Sequence, residues 1–236
     1  RMNKVAIVTG GSSGMGEATV KELEKRGWHV ASMSRKSAFR GDVAMDADCR
    51  RVAKAVLDKW GRIDALVNNA GTTKFVKHDD LEGLSADDIL GIFRVNLVGP
   101  WQMIRACAPA LKASRGSIVN ISSVAAVLGT GSSVAYAASK AALETMSMSL
   151  ARVLGPEIRV NVVAPGYVKT PWQVAAHGQA GADDLEQKYA SVAPLRAAVE
   201  AEDVAETVAW LLEGARRISG DIIYVDAGMH IASPRR

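Results

Sequence analysis

Short apolar runs alternate along the chain with longer segments whose apolar residues recur at the spacing of an amphipathic helix. Such short runs are typical of strands buried on both faces of a parallel sheet, and the helices between them form the crossovers. The predicted strands lie at residues 5–8, 29–33, 63–67, 118–121, 158–163 and 221–225. The predicted helices lie at residues 15–26, 46–59, 86–112, 136–152 and 203–212. This alternation predicts an α/β fold, a single doubly wound parallel sheet with helices on both faces.

The connection after the second predicted strand is too short to contain a helix. Only residues 36–41 separate Arg35 from the pair Asp42 and Val43. A parallel crossover that includes a helix needs roughly 10–12 residues or more. We therefore predict a sheet shortened around its third strand, which is either a stub at the edge or absent.

A long segment at residues 171–199 separates the strand at 158–163 from the helix at 203–212. It mixes polar and alanine-rich stretches. Insertions of this length between sheet elements often cover a binding site, so we predict a substrate lid here. We find no repeat or low-complexity tract, and we interpret residues 1–236 as one nucleotide-binding domain.

Composition argues against several classes of function. The net charge of +4 is dispersed, without a basic run interleaved with aromatic residues, so we expect no nucleic-acid partner. No apolar run approaches the ~20 residues of a membrane span, so we expect no membrane partner. The 2 cysteines and 4 histidines lack metal-ligand or redox spacing. We therefore expect no metal site, and reduced thiols in a cytoplasmic protein.

The side chains best suited to proton transfer lie in residues 116–140, GSIVNISSVAAVLGTGSSVAYAASK. Tyr136 and Lys140 are four residues apart among alanines, which favours a helix and puts both on one of its faces. A free tyrosine has a pKa near ~10, and a nearby ammonium lowers that pKa toward the range useful for acid–base catalysis. Ser123 follows the predicted strand at 118–121, at the strand end where open α/β sheets bind ligands.

Taken alone, Tyr-x-x-x-Lys is common on ordinary helices, and a lone serine is more often a strand-end cap. A second motif changes this interpretation, because the first predicted strand runs into TGGSSGMG at residues 9–16 and a helix follows. The glycines allow a tight turn close to a pyrophosphate, and the helix N-terminus supplies free N–H groups. This context favours a dinucleotide site on a Rossmann-type sheet over a plain glycine-rich turn.

The end of the second predicted strand indicates which nucleotide is bound. NAD sites carry an acidic residue there, which binds the ribose hydroxyls. This chain has Ser34 followed by the cations Arg35 and Lys36, a set that suits a 2′-phosphate. We predict NADP as the cofactor, with NADPH preferred over NADH; the alternative is a solvated basic loop.

Together these motifs resemble those of the short-chain dehydrogenase/reductase family over nearly the whole chain, in particular its 3-oxoacyl-[acyl-carrier-protein] reductase-like members. The matching stretches are TGGSSGMG at 9–16, NNAG at 68–71, Asn96, ISS at 121–123, YAASK at 136–140 and VVAPGYVKT at 162–170. Each is short, and their order and spacing make the resemblance specific. It implies hydride transfer between NADP(H) and a small-molecule carbonyl or secondary alcohol, in a homotetramer.

The resemblance also implies roles for single residues. Tyr136 would be the acid/base, Lys140 would lower its pKa and bind the nicotinamide ribose, and Ser123 would polarise the substrate carbonyl. Asn96 is similar to the residue that kinks its helix and holds a water linking Lys140 to solvent. The other implied cofactor contacts are Gly10, Ser12, Ser13, Met15, Gly16, Asp42, Val43, Asn69, Ala70, Gly71, Pro165, Gly166, Val168 and Thr170.

Alternatives remain open at the level of sequence. The same chemistry could run with NAD, as in an alcohol, sugar or steroid dehydrogenase. A non-catalytic nucleotide sensor is a second alternative, although such proteins usually lose the tyrosine or the lysine. Pro156 and Glu157 stand near where carrier-protein reductases tend to present a basic residue, which counts against an acyl-carrier substrate. Tyr167 and Trp172 indicate a partly apolar substrate pocket.

Overall fold

One parallel sheet forms the centre of the computed structural model, which describes residues 3–232. Its strands are β1 Val5–Thr9, β2 His29–Ser34, β3 Phe39–Arg40, β4 Ala65–Asn68, β5 Ser117–Ile121, β6 Arg159–Pro165 and β7 Ile222–Val225. Their order is β3-β2-β1-β4-β5-β6-β7, and every neighbouring pair is parallel. The chain therefore winds outward in both directions from β1, as predicted for a doubly wound, Rossmann-type sheet.

Helices cover both faces of this sheet. They are α1 Gly14–Lys25, α2 Asp46–Trp60, α3 Ala86–Phe93, α4 Gly99–Ser114, α5 Ala125–Leu128, α6 Val134–Leu154, α7 Pro171–Val192 and α8 Ala201–Glu213. Alternate side chains of β1 point to opposite layers. Val5 and Ile7 pack with residues of α2, α4 and α6, whereas Ala6 and Val8 pack with residues of α1 and α8. The two apolar layers leave the carboxyl ends of the strands free to build a site.

The third strand is the predicted stub at the sheet edge. Phe39 pairs with Met33 and Arg40 with Ser34, and no helix separates β2 from β3. A cavity of ≈350 Å³ lies beside β2. Its lining includes Trp28, His29, Val30, Phe39 and Trp60.

The helical pattern predicted over 86–112 is interrupted in its middle. Between α3 and α4, residues Arg94–Val98 form a π-helical turn, in which the Gly99 N–H donates to the Arg94 carbonyl. Pro100 follows and has no N–H to give to the carbonyl four residues back, which disfavours a regular helix here. The turn contains the fully buried Asn96.

The segment predicted as a lid is mostly helical. α7 is bent at Gly178, whose φ of 71° and ψ of 169° lie outside the helical region. Among residues 3–232, no helix combines the length and apolar character needed to cross a membrane. In the same range, no group of three or more His, Cys, Asp or Glu side chains could hold a metal ion.

Candidate active site

The glycine-rich turn after β1 is fastened to the end of β4. Asn69 Nδ2 donates to the carbonyl oxygens of Thr9 (3.0 Å) and Gly10 (3.2 Å). Thr9 Oγ1 accepts the N–H groups of Asn69 and Ala70, both at 3.1 Å. Gly10 has a φ of 65°, and a side chain at Gly16 would collide with the Gly10 carbonyl and with Asn69. Both positions therefore require glycine, and the turn is held in one shape.

The first backbone N–H groups of α1 lie next to the glycine-rich turn. Ser13 is the N-cap residue with extended backbone, and its hydroxyl makes no capping bond. Ser12 and Ser13 are exposed, whereas Met15 packs partly against the core. The first N–H groups of a helix lack intrahelical partners and carry partial positive charge, so they suit a phosphate.

Hydroxyls and cations gather where β2 ends beside β3. Ser34 Oγ accepts the Lys36 N–H at 3.1 Å, and Ser37 Oγ accepts the Ser34 N–H at 2.7 Å. These bonds turn the chain and leave Arg35 exposed. Arg40 is also exposed and lies opposite Ser34 in the β2–β3 register. Since residues paired across strands share a face of the sheet, the Arg40 side chain leaves the sheet on the same face as that of Ser34.

Asp42 and Val43 follow β3 and take part in local structure. The Asp42 carboxylate accepts the Ala44 N–H at 2.9 Å. Val43 is 7% exposed and packs closely against Gly99 at the start of α4. Asp42 is therefore the more accessible of the two residues that were predicted to meet the adenine.

β5 and α6 bring the predicted acid–base residues together. Ser133 is the N-cap of α6, and its hydroxyl accepts the Tyr136 N–H at 3.3 Å, so the helix begins just before the tyrosine. Ser123 follows β5 and lies close enough to the Tyr136 phenol to lower its pKa. Lys140 lies one turn further along the helix and is 4% exposed. Its Nζ donates to the Ile121 carbonyl at 2.7 Å.

The pKa of the Tyr136 phenol is dominated by burial. Burial raises the pKa of Tyr136 to about 12, and the nearby Ser123 hydroxyl opposes this only in part. The Lys140 ammonium donates to the Ile121 carbonyl and lies 5.7 Å from the centroid of the tyrosine ring, and its lowering of the tyrosine pKa remains a prediction. Burial also lowers the pKa of Lys140 to about 8. Tyr136 is thus a protonated phenol at neutral pH.

The Asn96 side chain approaches Lys140 from the π-helical turn. Its Oδ1 accepts the Thr72 N–H at 2.8 Å, and its Nδ2 donates to the Thr72 carbonyl at 2.9 Å and the Ser139 hydroxyl at 3.0 Å. A Cβ added at Gly71 would lie 3.5 Å from Asn96 Oδ1 and 3.8 Å from Lys140 Nζ. The two side chains therefore approach each other beside Gly71, and the predicted kink coincides with the π-helical turn.

The segment after β6 runs along the other side of the glycine-rich turn. Pro165 ends β6, and Gly166 follows where a side chain would collide with a tyrosine of α7. Val168 is buried, and Thr170 is the N-cap residue of α7. A Cβ added at Gly14 would lie 3.1 Å from Thr170 Cγ2. The segment predicted to hold the nicotinamide therefore reaches the turn predicted to hold the pyrophosphate.

Aromatic side chains lie next to Tyr136 on the side of α7. The Trp172 ring lies 6.3 Å from the Tyr136 ring and 5.8 Å from the Phe75 ring, centroid to centroid. His177 packs edge-on against Phe75 at 4.9 Å. Phe75 and Trp172 keep 38% and 42% of their surface exposed, so apolar surface faces the opening. The Tyr167 hydroxyl donates to a carbonyl of α7 at 2.9 Å, which ties α7 to the segment after β6.

Several residues at the site were not predicted from the sequence. Arg40 lies in a two-residue strand, which is too short to carry a hydrophobic pattern. Phe75 lies in an irregular loop, where no periodicity indicates its position. Ser122 and Glu144 form a buried hydrogen bond next to the acid–base residues. Glu144 follows Lys140 by four residues, and this i, i+4 spacing could have indicated from the sequence that Glu144 lies next to Lys140.

Comparison with known proteins identifies the family. A family profile described as Enoyl-(Acyl carrier protein) reductase matches residues 10–230. The 3-oxoacyl-[acyl-carrier-protein] reductase FabG of Staphylococcus epidermidis is 31% identical over 252 residues, which covers 98% of this chain and 100% of that protein.

Two solved structures of similar proteins contain a nicotinamide nucleotide. A 3-ketoacyl-(acyl-carrier-protein) reductase from Brucella melitensis, complexed with NADH, superposes with a TM-score of 0.87 at 26% identity, over 98% of this chain and 100% of that chain. ElxO with NADP bound gives the same TM-score of 0.87 at 26% identity, over 97% and 99% of the two chains. The chain thus belongs to the short-chain dehydrogenase/reductase family and is a NAD(P)-dependent oxidoreductase acting on carbonyl and alcohol groups.

Proposed function

We propose that this enzyme transfers hydride reversibly between NADP(H) and an apolar carbonyl or secondary alcohol, with Tyr136 as the acid/base. The observation that carries this proposal is the convergence of Ser123, Tyr136 and Lys140 at the carboxyl end of β5. Burial keeps the phenol protonated at neutral pH, and the Ser123 hydroxyl lies close enough to lower the pKa of the phenol. A proton donor beside a further hydrogen-bond donor is the pair that carbonyl reduction requires.

The residues around the glycine-rich turn fit a dinucleotide. The pyrophosphate would lie against the N–H groups at the start of α1, in the turn formed by Gly10, Ser12, Ser13, Met15 and Gly16. When bound, the nucleotide supplies the hydride that adds to the carbonyl carbon. Asn69, Ala70 and Gly71 would meet the ribose together with Tyr136 and Lys140. The nicotinamide would lie along Pro165, Gly166, Val168 and Thr170, and the adenine beside Asp42 and Val43.

The preference for NADPH rests on the carboxyl end of β2. Arg35 and Arg40 are both exposed beside Ser34. A 2′-phosphate is an ionised acceptor, to which guanidinium groups form strong, often bidentate bonds. We infer that these three side chains bind that phosphate.

In the direction of reduction, the proton comes from the Tyr136 hydroxyl. As the carbonyl carbon is reduced, its oxygen takes the phenol proton while Ser123 donates a hydrogen bond to the same oxygen. The Lys140 ammonium then stabilises the tyrosinate on the shared helix face. Asn96 meets Lys140 beside Gly71, where water would replace the proton that Lys140 passes to the tyrosinate, so that both the phenol and the ammonium are restored. Oxidation of an alcohol uses the same groups in reverse.

The lid side of the site favours an uncharged, apolar substrate. Phe75 and Trp172 present partly exposed rings beside Tyr136. The lysines nearest to these rings in sequence are both paired with carboxylates. Lys74 pairs with Asp88 at 2.8 Å, and Lys169 pairs with Asp183 at 3.3 Å. Apolar contact, rather than recognition of a charge, would therefore supply most of the binding free energy.

Replacing Trp172 by alanine should raise the KM for an apolar ketone about tenfold and change kcat little. Burying an aromatic side chain against ligand contributes roughly 1.5–3 kcal/mol of binding free energy, and this contact lies beside the reacting atoms rather than on them. Steady-state kinetics test this, with Trp210→Ala as a matched control, because Trp210 lies on α8 and is 45% exposed. Equal KM values for the Trp172 variant and the unmodified enzyme would contradict the substrate assignment.

An acyl-carrier thioester is the second candidate substrate, since relatives are named as reductases of such compounds. On this chain Glu157 and Lys112 lie 3.9 Å apart, so an acidic group accompanies the base at that surface. A panel of ketones and β-ketoacyl thioesters, assayed with NADPH and with NADH, tests both candidates. Reduction of apolar ketones with NADPH supports the proposal. A folded protein that reduces no carbonyl with either nucleotide would contradict it.

The expected assembly is a homotetramer, in which the helices around α4 and α6 pair between subunits. On these helices Trp101, Met148 and Val153 are 43%, 42% and 68% exposed, which is compatible with burial in an interface. Light scattering at micromolar concentration should give four times the 25.0 kDa chain mass. A mass of 25.0 kDa would contradict the expectation.

A further inference from the structure

A buried carboxylate follows Lys140 by one helical turn. Glu144 is 8% exposed, on the same face of α6 that carries Tyr136 and Lys140. Burial raises the pKa of Glu144, against opposing contributions from Ser122 and Lys140. A carboxylate is rarely kept in such a position unless other groups compensate its loss of water. The reaction outlined above does not use it.

Ser122 holds this carboxylate at the end of β5. Its hydroxyl donates to Glu144 Oε1 at 2.7 Å and lies 3.4 Å from the Lys140 carbonyl. Ser122 is 3% exposed and directly precedes Ser123. Between residues 3 and 232, no cation lies within 4.0 Å of Glu144. Its effect on neighbouring charges therefore acts through space.

Few titratable groups face this pair. On α6 they are Tyr136, Lys140 and Glu144 themselves. From β7, Tyr224 faces Glu144: burial raises the pKa of Tyr224, and Glu144 and Asp226 raise it further. β5 contributes the neutral hydroxyls of Ser122 and Ser123, and the π-helical turn contributes the neutral Asn96. Within the described chain, Glu144 is the one charged side chain that raises the pKa of Lys140 against burial.

We propose that Glu144, held by Ser122, is a positioning residue that keeps Lys140 in its ammonium form at the pH where the enzyme works. This role rests on the proposed function, in which the ammonium stabilises the tyrosinate and binds the ribose. Burial alone favours the neutral amine, and a carboxylate one turn away in a low-dielectric interior favours the cation. Lys140 and Glu144 thus titrate as a coupled pair.

The direction in which the Lys140 midpoint should move follows from the positive charge of its protonated form. Lys140 is protonated below its pKa, so functions that need the ammonium are lost as pH rises through that value. Removing the Glu144 carboxylate lowers the pKa of Lys140, so the loss should occur at lower pH. A purely structural role for Glu144 would lower stability or expression without moving this midpoint.

The direct test is an NMR titration of Lys140 in protein labelled with [¹³Cε]lysine. The Lys140 signal is assigned by its absence from Lys140→Met. We expect Glu144→Gln, which keeps the shape and the acceptor for Ser122, to lower the Lys140 midpoint by about one pH unit. Glu144→Asp, which keeps the charge, should restore part of the shift. An unchanged midpoint in folded Glu144→Gln would overturn the proposal.

Ser122→Ala provides a second route if Glu144→Gln does not fold. Without its hydrogen-bond donor the carboxylate is less stabilised, so the Lys140 midpoint should move down by a smaller amount, about a third of a pH unit. An unmoved midpoint in this variant would also count against the proposal. Because the titration needs neither nucleotide nor substrate, its outcome is independent of whether the enzyme reduces apolar ketones.

Measurements of NADPH binding then test whether the charge of Lys140 affects the nucleotide site. Fluorescence titration between pH 6 and pH 9 should show the dissociation constant rising with pH through the Lys140 midpoint in each variant, and at lower pH in Glu144→Gln. If the NMR midpoint moves but NADPH binding does not follow it, Glu144 sets the charge of Lys140 without serving the nucleotide site. That result would contradict the assigned role.

Discussion

Replacing Tyr136 by phenylalanine should lower the rate of carbonyl reduction by several powers of ten. The phenol is buried and protonated beside Ser123, and no other acid takes its place in the proposed reaction. The ring remains, so its packing against Trp172 and the position of Lys140 should change little. Measurement of kcat and kcat/KM with an apolar ketone and NADPH tests this.

Two controls make the Tyr136 result specific. The variant should bind NADPH with an affinity close to that of the unmodified enzyme and unfold at a similar temperature. Tyr189→Phe is the matched substitution, since the Tyr189 hydroxyl donates to the Asp226 carbonyl at 2.9 Å, outside the acid–base group. That variant should keep its turnover. Near-normal turnover in a folded Tyr136→Phe protein would remove Tyr136 from its proposed role.

The second large effect concerns cofactor choice. Arg35→Ala should weaken NADPH binding about tenfold or more while leaving NADH binding nearly unchanged. A hydrogen bond to an ionised group contributes roughly 1.5–3 kcal/mol, and only NADPH carries the 2′-phosphate that receives it. Because Arg40 also lies beside Ser34, the combined Arg35→Ala and Arg40→Ala variant should lose more. Equilibrium titration with both nucleotides measures the difference.

Lys36→Ala is the control for this pair. Lys36 is exposed in the same turn, and the contact it makes with Ser34 Oγ uses its backbone N–H, which the substitution keeps. Its effect on NADPH should be smaller than that of Arg35→Ala. Equal losses of NADPH and NADH in Arg35→Ala would mean that the arginine supports the loop and does not bind the phosphate.

The sheet and the order of the motifs were accessible from sequence for a physical reason. Strands buried on both faces require continuous apolar runs, so β5 and β6 are visible as patterns. The glycines of the β1–α1 turn are required by the backbone, because a side chain at Gly16 would strike the Gly10 carbonyl. The shortened third strand followed from chain length alone, since residues 36–41 cannot contain a crossover helix.

What the sequence did not reveal depends on contacts between distant segments. The sequence places Tyr136 next to a cation, but the pKa of the phenol is set by how deeply the folded chain buries it. Arg40 reaches Ser34 through strand pairing, and Phe75 reaches Trp172 through the position of a loop. The π-helical turn around Asn96 also interrupts a hydrophobic pattern that by itself predicts one continuous helix.

The most direct test of the proposed function follows the hydride itself. The enzyme is incubated with an apolar ketone and NADPH that carries deuterium on either face of nicotinamide C4, and the alcohol is analysed by mass spectrometry. We expect one deuterium on the carbinol carbon from only one of the two labelled faces, and no measurable product with Tyr136→Phe. Alcohol without deuterium from either form, or equal labelling by the Tyr136→Phe protein, would contradict hydride transfer at this site with Tyr136 as the acid.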